Sequence, residues 1–367
     1  MGSIARRPGA PLTGEVSRPS PIIPACDGSA AIQVSVVVPA YNNAFELAQS
    51  LSALRAAADS DTELIVVDDA STDDVSSVAA NAGARFLRLA RNAGPAAARN
   101  HGARHAQGQV LFFVDADVVV ASDAIGRVRT ILDGHRDIAA VFGSYDSHPV
   151  APGLVSQYRN LVHHFVHQTA KAEATTFWAG CGAISRPAFE HVGGFDERRF
   201  PRPSIEDIEL GHRLSRAGYR ILLDKSLQAT HLKRWTLWSV IRTDIIHRAI
   251  PWSRLILENG EVPDDLNLQR SQRFSVALTG LSGLFFAAST LRPEFLIPAF
   301  ACIAAIVVIN RNLYAYLWRV RGPLFATACV PLHLLYYVCC GVGYQYVRIV
   351  STLQSAIARC RRRADLK

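Results

Sequence analysis

Between residues 33 and 114 the chain alternates short apolar runs with helix-compatible stretches, and few folds accept that rhythm. The runs at 33–38, 63–67, 85–89 and 110–114 are bounded by turn residues, and the stretches 44–58, 72–82 and 95–107 lie between them. Strands that take turns with helices predict an α/β fold with a mostly parallel central sheet covered by helices. Asp73 and Asp74 favour a helix start after Ser71, and Pro95 suits the first turn of the next helix. After residue 120 the pattern loosens into a helix near 123–133, a strand near 138–142 and a polar helix-like stretch at 154–170, where the acceptor side of a ligand site is expected.

Open α/β sheets bind ligands at the carboxyl ends of their strands. The first run ends in Pro39-Ala40-Tyr41-Asn42 and the second in Asp68-Asp69-Ala70-Ser71-Thr72-Asp73. Each alone fits a turn or a helix cap; together they offer a ring and carboxylates to a nucleotide base and ribose. The segment from Arg91 to Gly102 joins a small-residue turn containing Asn92 to a helix carrying Arg99, a cation one turn in that could meet a phosphate. The fourth run ends in Asp115-Ala116-Asp117. Two carboxylates at the end of a buried strand suit a hard cation, Mn²⁺ or Mg²⁺, which takes its remaining oxygens from substrate phosphates. Downstream, Glu206, Asp207 and Glu209 open an amphipathic helix. The helix dipole favours acids there in any case, and a general base is the functional alternative, with spacing choosing none of the three.

Taken in order, Pro39-Ala40-Tyr41-Asn42, Asp68-Asp69-x-Ser71-Thr72-Asp73, Asn92-x-Gly94 with Ala98-Arg99-Asn100-x-Gly102, Asp115-x-Asp117, Gly193-Gly194-Phe195-Asp196-Glu197 and Glu206-Asp207-x-x-Leu210 resemble glycosyltransferase family 2 over about residues 34–231. The resemblance implies a GT-A fold, a nucleotide-diphospho-sugar donor and a divalent metal. It assigns Asp69 to the base, Asp115 to ribose or metal, Asp117 to the metal and Asp207, beside Glu206, to the catalytic base of an inverting transfer. Phe177-Trp178-Ala179-Gly180-Cys181 resembles the family's acceptor-side segment, with Trp178 and Gly180 beside the sugar. His231 follows the last strand and completes the metal site in some relatives. Lys233-Arg234-Trp235 lacks the glutamine of the Q-x-x-R-W element of processive synthases.

The remaining length changes character. Apolar residues make up 49% of the 367 and charged residues 19%, a balance that points to membrane segments. Residues 274–291 and 295–309 are almost uncharged and read as a helical hairpin; 323–347 is long enough to cross a bilayer or to turn back near Gly341 and Gly343. Residues 231–251 mix apolar and basic side chains at helical spacing, as an interfacial helix does. The expected organisation is a disordered leader at 1–31, a GT-A catalytic domain at 32–231, an interfacial segment at 232–272, a membrane region of two to three helices at 273–350 and a basic tail at 351–367. The net charge of +8 gathers beside the apolar stretches, which suits a membrane surface rather than nucleic acid. Seven cysteines without a C-x-x-C pair exclude a zinc ribbon. With no signal-peptide pattern, the expectation is a multi-pass protein of the inner cell membrane with a cytoplasmic catalytic domain. It would act on a lipid-linked acceptor or a cell-envelope glycan. Two rivals stand beside it: a phosphohydrolase with Asp115 as nucleophile, and a non-catalytic binder of nucleotide sugars.

Overall fold

The computed structural model describes residues 33–135, 137–259 and 269–364, so the expected leader lies outside the described residues. The repeats are β1 (Val34–Ala40), α1 (Ala44–Ala57), β2 (Thr62–Asp68), α2 (Val75–Asn81), β3 (Arg85–Arg88), α3 (Pro95–His105) and β4 (Val110–Val114). Successive strand residues point to opposite faces, and both faces are covered. Val36, Val38 and Phe112 pack with Leu47, Leu51 and Leu54 of α1 on one side. Val37, Ile65 and Phe113 pack with Phe189, Leu210 and Leu214 on the other. Double burial is why these strands read as continuous apolar runs rather than alternations. The second helix begins later than the sequence suggested, because the Asp74 side chain accepts the Ser77 N–H and caps it there.

The chain continues through β5 (Val118–Val120), α4 (Ala124–Gly134), β6 (Ile138–Tyr145), α5 (Leu154–Thr169), β7 (Glu173–Ala174), β8 (Cys181–Ser185), α6 (Arg186–His191), α7 (Glu206–Arg216) and β9 (Arg220–His231). The sheet order is β3-β2-β1-β4-β8-β6-β9-β5, with β7 on β9. The side built from β1 to β4 is parallel, as expected. The other side is mixed, because the slot between β4 and β6 is taken by β8, which runs antiparallel to both.

Beyond the sheet, α8 (Leu237–Arg242), a π-helical segment (Thr243–Ala249) and α9 (Ile250–Asn259) form one continuous helical stretch, followed by α10 (Arg270–Ser289), α11 (Leu296–Ile309), α12 (Arg311–Arg321) and α13 (Pro323–Ala364). Among the described residues one helix, over Pro323–Ala358, is long and apolar enough to cross a membrane, where two or three were expected. Helix α10 starts with Arg270 and Arg273, and α11 is shorter than the roughly 20 residues a crossing needs. A 69° bend separates α11 and its leading turn from α12. The multi-pass expectation is therefore not carried by these helices. Nor does the chain turn back near Gly341 and Gly343: α13 runs through both into the basic tail.

A polar knot ties the helices together. The Asn310 amide at the bend donates to Ser275 Oγ, its Oδ1 accepts from Gln272 Nε2, and the Tyr337 hydroxyl donates to Gln272 Oε1. Tyr158 and Leu161 of α5 pack on Leu313 and Leu317 of α12 and on Ala326 and Cys329 of α13, docking the helical layer on the sheet domain. At Gly343 the approach is closest, since a Cβ there would lie 2.5 Å from the Ala249 Cβ. Gly343→Val should therefore destabilise the protein by about 1–3 kcal/mol through overpacking. Gly283→Ala, which meets nothing within 4 Å, should be neutral or stabilising. Thermal unfolding of the two purified variants checks the contrast.

Candidate active site

The strand ends are laced together before any ligand arrives. Asn42, in the left-handed region at φ +51°, accepts the Thr72 N–H on its side chain and donates its own N–H to Ser71 Oγ. Asp69 accepts the N–H groups of Ala93 and Gly94 at 2.7 and 2.8 Å, so it braces the turn before α3; burial raises its pKa and those two donors oppose the rise. Gly94 is required at φ +89°, where a Cβ would lie 2.6 Å from the Pro201 carbonyl oxygen. Asp68 points the other way, fully buried, accepting from the Ser71 N–H and paired with Arg88 at 2.9 Å. It does not line the cavity, so the expectation that it touches the nucleotide is corrected: neighbouring strand residues face opposite sides, and Asp69 takes the inner one.

The pairing of β4 with β8 sets Val114 against Cys181, and the Asp115 N–H donates to the Gly180 carbonyl. The pairing of β5 with β9 sets Val118 against His231, bringing His231 Nε2 to 3.5 Å from Asp117 Oδ2. Burial pushes the Asp117 pKa up, but the His231 hydrogen bond and Lys233 leave it lowered. The His231 ring stacks on Tyr145 at 4.4 Å. Helix α7 approaches closely because Gly211 lets the Thr176–Phe177 backbone lie against it, with a Cβ there only 2.3 Å from the Phe177 nitrogen. Its first turn thereby faces Ala179, whose N–H donates to Asp207 Oδ2 at 3.2 Å.

Arg99 joins these two ends. Its guanidinium donates to Asp115 Oδ1 at 2.7 Å and to Glu206 Oε1 at 2.9 Å. It is thus held by carboxylates rather than open to a phosphate, as the sequence had it. Burial pulls its pKa down, and Asp115, Glu206 and Asp207 more than reverse that. Glu209 is paired with Arg213. Of the three acids at this helix start, Asp207 alone makes no ion pair among the described residues. Burial and the neighbouring Glu206 raise its pKa to about 7.

Pro39, Ala40, Tyr41, Asp69, Asn92, Arg99, Asp115, Ala116, Asp117, Trp178, Glu206, Asp207 and His231 all line one cavity of about 1930 Å³. Gly180 does not line it; a Cβ at that position would lie 2.6 Å from the Trp178 ring, so its smallness seats the indole instead. Cys181 is buried and its thiol pushed well up, which fits a packing residue.

Residues 35–193 match the family model of glycosyl transferase family 2. The chain carries a glycosyltransferase family 2 domain. The pre-mycofactocin glycosyltransferase of Mycobacterium tuberculosis is 30% identical over 239 residues, covering 62% of this chain and 47% of that protein. Validoxylamine A glucosyltransferase of Streptomyces hygroscopicus subsp. jinggangensis is 30% identical over 236 residues, covering 54% of this chain and 56% of that protein. The chain thus spans about half the length of these curated relatives. In fold it is similar to the mannosyltransferase PcManGT from Pyrobaculum calidifontis in complex with GDP-Man and Mn²⁺, with a TM-score of 0.56 at 19% identity, over 90% of this chain and 91% of that one. The sheet domain is a GT-A fold with a mixed central sheet.

The family 2 domain also brings to its cavity side chains that sequence reasoning missed: Tyr145, His163 and His167, which cluster with Trp178. His163 and His167 stand four residues apart on α5, one face of a helix read only as polar. The helical segment after β9 closes over the same cavity through Asp244 and Arg248, where the sequence suggested a surface helix.

Among the described residues no three His, Cys, Asp or Glu side chains stand together as a metal cage. Asp115 is turned to Arg99, which leaves Asp117 and His231 as the open pair. One carboxylate and one imidazole fit a cation that draws its other ligands from a diphosphate and water. Replacing Arg99 by Met would leave Glu206 buried without its partner, and a loss of about 3 kcal/mol or more in unfolding free energy is expected. Denaturant unfolding of Arg99→Met against wild type measures it.

Proposed function

We propose that this protein is a metal-dependent, inverting glycosyltransferase that moves a sugar from a nucleotide-sugar donor to a hydroxyl acceptor at a membrane surface. The observation that carries the reading is Asp207: an acid with no ion pair among the described residues, set in the cavity wall beside Glu206, with its pKa raised to about 7. A base with that pKa is half deprotonated near neutrality and accepts a proton from an attacking hydroxyl.

In the step proposed, the acceptor oxygen attacks the anomeric carbon of the donor sugar, and its O–H proton passes to Asp207. The bond from that carbon to the diphosphate oxygen breaks, and the electron pair leaves on the nucleoside diphosphate. Asp117 and His231 are the residues that would hold a divalent cation, Mn²⁺ or Mg²⁺, which when bound supplies positive charge for the departing diphosphate. Tyr41 and Asn92 line the donor end, and Asp69 shapes it by fixing the turn at Ala93 and Gly94. Arg99 and Glu206 act as positioning residues.

Attachment to a membrane rests on the surface of the helical layer. Leu284, Leu291, Ile297, Phe300, Val308 and Leu324 are all exposed. Large apolar side chains exposed in such number on one helical layer favour lipid or partner contact. Trp238 on α8 and Trp318 on α12 add exposed aromatic rings of the sort that favour the interface.

Two tests follow. Thermal stability of the detergent-purified chain with UDP or GDP plus Mn²⁺ should rise, and the gain should be lost with chelator and in Asp117→Ala. No stabilisation of well-folded protein by either nucleotide would move the reading to the phosphohydrolase. For the base, transfer at limiting substrate should climb as pH rises through about 7, because the deprotonated Asp207 is the working form and acid removes it. Asp207→Asn should lower kcat by about 10²-fold or more and flatten that profile. An unchanged profile in Asp207→Asn would show that another group takes the proton.

A further inference from the structure

Three histidines stand on the cavity side and flank of α5, and two of them are committed to the fold. His164 and His167 donate from Nδ1 to the backbone carbonyls of Tyr145 and Gly143 at 2.7 and 3.0 Å, fastening the helix to β6. A carbonyl can only accept, so in both rings the proton sits on Nδ1. His163 is held by no such bond. Its Nδ1 is enclosed without a partner, and the ring makes no hydrogen bond among the described residues, although it lines the cavity. A buried lone pair left unpaired is tolerated more readily than a buried N–H, which puts the His163 proton on Nε2. Because Nδ1 has no accessible surface, this partly buried ring meets the cavity through its other edge, the one that carries Nε2. Burial, with His167, Arg248, His231 and Arg159 around it, pushes its pKa well down, so the ring stays an uncharged donor.

That edge belongs to the wall between the two centres of the chemistry. The His163 ring lies 4.2 Å from Tyr145 and 4.8 Å from Trp178, centroid to centroid. Tyr145 in turn stacks on His231 at 4.4 Å. On the other flank, Trp178 precedes Ala179, whose N–H is bound by Asp207, and packs over Gly180, whose carbonyl accepts from Asp115. His163 is thus one ring removed from the proposed metal pair and one ring removed from the segment that holds the base. The sheet order separates this wall from the donor end. Tyr145 closes β6, which lies across β4 from β1 and β2, the strands whose ends lead to Tyr41 and Asp69. A nucleotide at the β1 and β2 ends leaves the β6 side to the other substrate. Aromatic walls with a few directed polar groups are how such a pocket fixes the orientation of its ligand.

We propose that His163 selects a sugar ring as the acceptor: its Nε2–H donates to a hydroxyl beside the attacking one, while an apolar face of that ring packs on Trp178. This rests on the glycosyltransferase reading and names for it both the acceptor class and a residue that recognises it. The transfer step is unchanged. The attacking hydroxyl gives its proton to Asp207, and the neighbouring hydroxyl keeps its own and accepts from His163 on an oxygen lone pair. A pyranose offers a C–H face to the aromatic wall and a hydroxyl oxygen to the donor at its edge. An alcohol with a single hydroxyl leaves the Nε2–H unpaired, which is how a site built around a hydrogen bond rejects the analogue that lacks it.

The test uses the full chain with UDP or GDP and Mn²⁺ in a detergent without a sugar headgroup. It is titrated with the methyl glycosides of glucose, galactose and mannose and with cyclohexanol, a ring with one hydroxyl, and binding is read by tryptophan fluorescence. At least one glycoside should bind about tenfold more tightly than cyclohexanol. His163→Phe keeps an aromatic ring and loses the donor; it should weaken that glycoside about tenfold and leave cyclohexanol unchanged. His163→Gln loses the ring and keeps an N–H near the place of Nε2; it should hold the glycoside within about threefold of wild type. A packing role predicts the reverse order. His163→Phe binding the glycoside like wild type, or His163→Gln falling as far as His163→Phe, therefore overturns the assignment of His163. No glycoside binding better than cyclohexanol overturns the sugar acceptor. The thermal shift with UDP or GDP plus Mn²⁺, run on the same proteins, reads the donor site separately: its retention in both variants shows the fold intact, and its absence from wild type sinks the glycosyltransferase reading, whatever the glycosides do.

Discussion

The site depends on one buried guanidinium. Arg99 projects from α3 between the end of β4 and the start of α7, held by Asp115 on one side and Glu206 on the other, with the Phe195 ring 5.4 Å beneath it. Arginine does not give up its proton in a protein, so a charge this deep persists only with partners fixed around it. Those partners lie on elements far apart in the chain, and pairing them sets the spacing of the cavity walls. The same cation sorts the carboxylates. Asp115 and Glu206 are consumed in holding the frame, and Asp117, two residues beyond the first, and Asp207, next to the second, are left lining the cavity with no guanidinium bound among the described residues. Two acidic pairs, Asp115 with Asp117 and Glu206 with Asp207, thus divide in the same way.

That division was invisible in the sequence, and the reason is instructive. The strands were legible because burial on both faces writes them as unbroken apolar runs, and the helix starts were legible through Pro95 and the Asp73–Asp74 pair. Motifs at strand ends follow from the topology alone, so the sequence pattern sets Asp69, Asp115 and Asp117 on one rim. Which of two adjacent acids turns inward is set by register, and Asp68 went to Arg88 instead. Glu206, the second partner of Arg99, stands 107 residues away, a pairing that no local spacing encodes. Spacing does not distinguish Glu206, Asp207 and Glu209, and only the family resemblance singles out Asp207; the ion pairs of Glu206 with Arg99 and of Glu209 with Arg213 separate them physically.

The helical layer was legible in composition and misjudged in geometry. Apolar runs predicted bilayer crossings by length, but length does not reveal the bend at Asn310 or the knot of Gln272, Ser275 and Tyr337 that fixes it. Likewise, Arg248 and its neighbours had the periodicity of a surface helix. The π-helical turn breaks that periodicity, and Asp244 and Arg248 on it line the cavity.

The helices are also part of the site rather than only its attachment. Helix α5 belongs to both halves: its His163 and His167 stand beside Trp178, while its Tyr158 and Leu161 pack on α12 and α13. A sheet domain alone would leave this side of the cavity open to water, where a glycosyl donor is exposed to hydrolysis in place of transfer. The segment carrying Asp244 and Arg248 supplies that wall, and Gly343 lets α13 press it into place. The cavity and the exposed apolar helices are thereby coupled through packing, since α5 cannot shift against one layer without disturbing the other. The apolar helices accordingly shape the cavity that Asp207 lines, and a change in their packing reaches the site through α5.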